Sequence, residues 1–330
     1  MKKFTFILTG LLLFVLPVTS WAAGKAVKTT LNCRLYGFRA ETLYVDCIND
    51  PQIRKEFAPN PGEDLTLTFT TDRMMVFTVF ETEVMVEPGD SLCVDIRYGS
   101  QSRRPESVEF TGSPKSVIEN QIFQSLENFR LAMKYRDRLL SCAVLGVTPA
   151  ERFADSEKML QRVNETLARN KKKVSKAFAN YTGAYYDALY WMSKLEYPVM
   201  YAALCRTPIE EQGIGDYWTI DKGLKIRKDE ASLSCFPYYE LILRYCNYCY
   251  ERKAAAKGET YERPDQLEEA YEQLASFYKG SVRDAALYAL LGNYIRQGQQ
   301  IERADNLMPD YLKNYNQNKQ YAATLNALMQ

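Results

Sequence analysis

The stretch FTGSPKSVIENQIFQSLENF, residues 110 to 129, contains the change of period that decides the fold. Phe110-Thr111-Gly112 closes a run in which apolar residues recur every second position. Ser113-Pro114 then supplies a helix N-cap and a first-turn proline, and Ile118, Ile122, Leu126 and Phe129 recur at helical spacing. Upstream, TLNCRLYGF sets Leu31, Cys33 and Leu35 against Asn32 and Arg34, and TLYVDCI puts Leu43, Val45 and Cys47 on one face. DLTLTF, MMVFTVF and SLCVDIRY continue the alternation, punctuated by Gly37, Asn60-Pro61-Gly62 and Pro88-Gly89-Asp90. Residues 24–112 therefore read as a small antiparallel β-sandwich or meander of about six or seven strands.

Downstream the period stays helical. Thr148-Pro149-Ala150-Glu151 and Thr207-Pro208-Ile209-Glu210 have the form of capping boxes, and Ser281-Val282-Arg283-Asp284 is a weaker one. The pattern predicts helices near 114–141, 149–179, 182–205, 237–256, 264–278, 282–297 and 300–316, with a short one to the end and a long loop over 213–230. Short connections between such helices imply antiparallel hairpins, so residues 113–330 read as a larger all-α hairpin bundle and the chain as α+β. No strict internal repeat is present, although 264–316 has the rhythm of a helical-repeat pair.

Residues 1–23 have the form of a secretory signal peptide: Lys2 and Lys3, an apolar run from Phe6 to Leu16, and the small-x-small site Ser20-Trp21-Ala22. The run is short for a membrane span, and no later stretch approaches about 18 consecutive apolar residues, so no transmembrane helix is expected. The expected product is exported, to the periplasm or cell envelope, and soluble once the signal is removed. That removal takes two lysines and no acids, so 42 basic against 41 acidic residues becomes 40 against 41. A nearly neutral chain argues against nucleic-acid binding, which needs a basic excess to meet phosphates. There is no histidine. Ser-His-Asp and Cys-His catalysis, HExxH zinc sites and histidine-ligated metal or haem are thereby excluded.

Three segments together carry a resemblance: MVEPGDSLCVDI (85–96), a strand-turn-strand centred on Pro-Gly-Asp; the strand-to-helix stretch quoted above; and the aromatic-rich helices that follow. This layout is similar, over about residues 25–320, to the N-terminal part of the exported thioredoxin-like thiol-disulfide oxidoreductases of Bacteroidetes-type bacteria. There a small β-domain and a helical region precede a thioredoxin domain. The resemblance implies such a domain near residue 330, with Trp-Cys-x-x-Cys at a helix start; these 330 residues contain no such motif. No catalytic position carries over.

The chain has its own Cys-x-x-Cys, Cys246 and Cys249 in RYCNYCYE. A redox pair needs its first thiolate exposed at a helix N-terminus, where the dipole depresses its pKa. Here Cys246 lies more than two turns into a helix entered at Pro237. Tyr239, Ile242, Cys246 and Cys249 form one helical face, which reads first as a core stripe. A metal site would need Cys205 and Cys235 to converge on the pair. Eight cysteines allow about 105 full pairings. One has a geometric basis: a hairpin of strands 29–36 and 43–49 centred on Ala40 would set Cys33 opposite Cys47, a possible disulfide. Tyr186, Tyr190, Trp191 and Tyr197 lie in one helical hairpin and are candidates for a sugar- or peptide-binding groove, set against the simpler reading as interhelix packing. Lys171 to Lys173 reads as a solvated face, and Gly213-x-Gly215 lacks the rest of a dinucleotide fingerprint. The sequence thus favours a non-catalytic exported module, without cofactor, that binds a protein or small ligand in the cell envelope. A thiol-disulfide oxidoreductase, acting through Cys246 and Cys249 or with a separate thioredoxin domain, and a carbohydrate- or peptide-binding module are the alternatives.

Overall fold

A computed structural model of the chain describes residues 25–37, 43–50, 52–57, 64–79, 82–99, 105–133, 143–298 and 300–329. The proposed signal peptide lies outside the described residues. The fold is α+β. Eight strands come first: β1 (Val27–Tyr36), β2 (Leu43–Cys47), β3 (Arg54–Phe57), β4 (Asp64–Thr71), β5 (Met75–Val79), β6 (Thr82–Val86), β7 (Ser91–Tyr98) and β8 (Pro105–Gly112). They form two four-stranded sheets, ordered β4-β1-β7-β8 and β3-β2-β5-β6. All pairings are antiparallel except β1 with β7, which is parallel and sets Leu31 beside Leu92 and Cys33 beside Val94.

This order corrects the expected β1–β2 hairpin. Both edges of β1 are occupied, by β4 and β7, so β2 pairs in the other sheet, with β3 and β5. Cys33 and Cys47 are not cross-strand neighbours. Both are free thiols in the hydrophobic layer between the sheets, beside Leu31, Val45, Phe77 and Val94. Ala40, the supposed hairpin centre, lies outside the described residues.

Helices follow: α1 (Pro114–Ala132), α2 (Pro149–Asn170), α3 (Lys176–Leu195), α4 (Tyr197–Cys205), α5 (Glu230–Leu233), α6 (Phe236–Ala255), α7 (Leu267–Phe277), α8 (Gly280–Arg296), α9 (Ile301–Asp310) and α10 (Lys319–Leu328). The switch from strand to helix needs Gly112, whose φ is +121° and whose place a Cβ could not share with the Ser91 carbonyl. Thr148 makes the full capping box with Glu151 that starts α2. Several expectations fail locally, among them the Ser113 cap: its hydroxyl accepts from the Ser91 N–H and makes no capping bond to α1. The break expected near 180 falls at 171–175, because the Ser175 side chain accepts from the Phe178 N–H and begins α3 there. Thr207-Pro208-Ile209-Glu210 starts only a 3-10 turn, Ile209–Glu211, since Gly213 and Gly215 follow at positive φ. Ser281 does not cap α8; its hydroxyl donates to the Lys228 carbonyl, and the helix begins one residue earlier.

Sheet β3-β2-β5-β6 lies between two cores, and β5 and β6 carry the contact. Met75, Phe77, Val79, Val84 and Val86 face the sandwich interior, while Val76 and Met85 pack with Phe123, Phe178, Tyr181 and the rest of the helical core. Edge strand β6 is covered by α1. Buried Asn120 accepts from the Met85 N–H (2.9 Å) and donates to the Met85 carbonyl (2.7 Å), supplying the pairing that a further strand would. Among the described residues no helix is long and apolar enough to cross a membrane.

Candidate functional site

The sequence-nominated thiols lie in the core. Tyr239, Ile242, Cys246 and Cys249 are all buried on α6, as one helical face. Burial pushes the Cys246 thiol up to about 12, against a Gln273 amide that donates to its sulfur. Cys249 is also raised by burial, partly offset by Tyr245 and Arg252. Cys235 sits at the N-cap of α6 but is fully buried, and burial raises its thiol well above the ordinary value. Thiols held protonated out of water are poor nucleophiles. Alkylation of the native protein should leave Cys246 and Cys249 unlabelled until denaturant is added. Rapid native labelling of the pair, resolved residue by residue by mass spectrometry, would contradict this. Among the described residues no three His, Cys, Asp or Glu side chains gather as a metal set.

The four nominated aromatics do not line one groove. Tyr186 is buried and donates to Glu127 Oε1 (2.8 Å), which is also paired with Arg130. Tyr197 is buried and donates to the Val147 carbonyl (3.1 Å). Tyr190 and Trp191 meet edge to face at 4.9 Å and are only partly buried. Tyr186 and Tyr190 border a recess of about 40 Å³, too small for a sugar or peptide.

A roomier opening than that recess lies where the sandwich meets the helices. A cleft of about 330 Å³ is walled on one side by Ile48 and Asn49 after β2, Asp72 to Met74 between β4 and β5, and Glu87-Pro88 after β6. The other wall comes from the first turns of α3, α5 and α10, with Tyr239 of α6 and Tyr288 of α8. A second cavity of about 580 Å³ shares Ile48, Tyr239 and Tyr288 with it. Tyr288 and Tyr321 stack at 4.1 Å with an interplanar angle of 7°, and Tyr239 meets Tyr288 edge to face at 5.8 Å. The Tyr239 hydroxyl donates to Tyr321, which donates to the Leu233 carbonyl. These hydroxyls are therefore answered within the protein, and the rings present carbon to the cleft.

The cleft walls are fixed by local chemistry. Asp90 accepts from the Glu87 N–H (3.2 Å) and from Ser116 of α1, while Gly89, at φ +83°, donates to Thr29; the Pro-Gly-Asp turn is thereby held. Buried Asp284 accepts from the Tyr311 hydroxyl (2.6 Å) and from the N–H groups of Gln317 (2.9 Å) and Asn318 (2.7 Å), which sets the start of α10. Arg73 bridges the two walls with an ion pair to Glu230 (2.8 Å). No family model, curated protein or solved structure matches the chain. The cleft residues run from position 48 to 321, so no local motif announces them. The nearest signals were the Glu87-Pro88-Gly89-Asp90 turn and Tyr239 at the head of the cysteine stripe.

Proposed function

We propose that the chain is an exported, non-catalytic module that binds a small ligand in the cleft between its β-sandwich and its helices. The observation that carries this is the cleft itself: both walls contribute to it, their loops are held by internal hydrogen bonds, and its volume falls within the range of about 300–1,000 Å³ usual for small-molecule sites. The layout that resembles the non-thioredoxin part of exported oxidoreductases agrees with a binding role beside catalysis carried elsewhere. The buried Cys246 and Cys249 leave the oxidoreductase alternative dependent on a separate thioredoxin domain.

The test is a thermal-shift screen of the signal-free protein against amino acids, mono- and disaccharides and nucleotides, repeated on Gln320→Trp. Gln320 lines the cleft and its side chain makes no hydrogen bond among the described residues, so the substitution fills the opening without removing a bond. At 100 times its Kd a ligand adds about 2.7 kcal/mol, several degrees in Tm for a chain of this size. At least one class should raise Tm in the wild type and not in the variant. Equal shifts in both proteins, or none in either, would remove the cleft as the working site.

A further inference from the structure

We infer that the cleft takes a free α-amino acid with a large apolar or aromatic side chain: its carboxylate lies on Lys176 and the first turn of α3, and its ammonium on Glu87. This rests on the cleft being the working site and names the ligand class.

The charges around the cleft sort themselves. Asp72, Arg73 and Glu230 pair with one another, and Asp229 caps α5 by accepting from the Ser232 N–H (3.0 Å). Two charged side chains remain unanswered among the described residues, Lys176 and Glu87. Glu87 makes no side-chain hydrogen bond, although its Oε1 atom is buried. Both line the cleft. Glu87 lies within electrostatic reach of Glu119, and Glu119 accepts at 2.6 Å from the N–H of Ser175, the residue before Lys176.

One positive and one negative group lining one cleft match a ligand that carries both charges, as the ammonium and carboxylate of an α-amino acid do. The carboxylate gains a second source of attraction. Lys176 and Ala177 are the first two residues of a 20-residue helix, and their N–H groups have no acceptor in it. Met74, Tyr239, Tyr288 and Tyr321 supply a carbon-rich floor for the side chain. A neutral saccharide would leave both charges unmet. A nucleotide would bring several negative charges to a lining of four acids and two bases.

Isothermal titration of the signal-free protein with L-phenylalanine, L-leucine and L-methionine tests this, with N-acetyl-L-phenylalanine and L-phenylalaninamide as blocked forms and maltose as the neutral comparison. The free amino acids should bind, and each blocked form should bind at least about tenfold more weakly. Glu87→Gln should weaken L-phenylalanine by a similar factor while leaving the N-acetyl form unchanged; Lys176→Gln should do the same with the amide as the insensitive form. Failure of all three amino acids, or equal binding of free and blocked forms, would overturn the inference. If maltose binds instead and Gln320→Trp abolishes it, the ligand class is wrong and the cleft reading stands. If neither binds and the thermal-shift screen is also silent, both fall.

Discussion

Replacing Arg244 by methionine is expected to cost about 3–5 kcal/mol, a large part of the roughly 5–15 kcal/mol that holds a typical domain folded. Arg244 lies on α6 with its side chain 4% exposed. It forms ion pairs with Glu196, at the junction of α3 and α4, and with Glu251 (2.9 Å), and it donates to the Leu195 carbonyl (2.7 Å) and the Tyr217 hydroxyl (3.0 Å). Removing it strands two half-buried carboxylates and a main-chain oxygen at one point. Arg263 touches the same two glutamates, at 3.3 and 2.9 Å, but from a side chain 40% exposed. Water already screens that half of the network, so Arg263→Met should cost no more than about 1 kcal/mol. Urea midpoints of the two variants would check the contrast. Equal losses would mean that position in the network, not burial, sets the cost.

Arg244 also marks where sequence reading reaches its limit. The stripe Tyr239, Ile242, Cys246 and Cys249 was legible because helical spacing names a face, and a continuous apolar face is buried. A charged residue between those positions, at 244, reads as solvent-facing until the segments around Glu196 and Tyr217 are brought against it. The sandwich divides in the same way. Alternation showed which side chains of β1 point inward, and they do; it carried no information on neighbours, so β1 was set beside β2 when its edges belong to β4 and β7. The start of α2 was legible because the Thr148 capping box is wholly local. The start of α3 was displaced because Ser175 is fixed partly by Glu119, far away in the chain. For the tyrosines, spacing showed that Tyr186 and Tyr197 share a helical hairpin with Tyr190 and Trp191 but not that they are core. The cleft was the least legible feature, since Glu87, Lys176, Tyr288 and Tyr321 meet only through the packing of sandwich on helices.

Glu119 makes stability fall as pH rises. Its carboxyl is buried on α1, and burial pushes it from an ordinary 4.5 up to about 7, reinforced by the charge of Glu87 and opposed by the Ser175 N–H and Lys115. Because the folded value is the higher one, the folded chain holds a proton between pH 4.5 and 7 that the unfolded chain has released. The stabilisation from this group is complete below about 4.5, declines through that window and is lost above about 7. It amounts to about 3 kcal/mol over the window. Glutamine resembles the protonated acid: it has no charge, and its oxygen still accepts from the Ser175 N–H. Glu119→Gln should therefore match the wild type near pH 4.5 and exceed it at pH 8 by roughly that amount, as read from denaturant midpoints across the range. Parallel pH curves for the two proteins would show that Glu119 does not carry the effect. The same proton bears on the cleft. Ionised Glu119 sets a second negative charge close to Glu87 and behind the first turn of α3, so it strengthens the hold on a ligand ammonium and weakens the hold on its carboxylate. The Glu119→Gln variant removes both effects at once while leaving Glu87, Lys176 and the aromatic floor in place, so the direction in which its ligand affinity moves at pH 8 shows which of the two is larger.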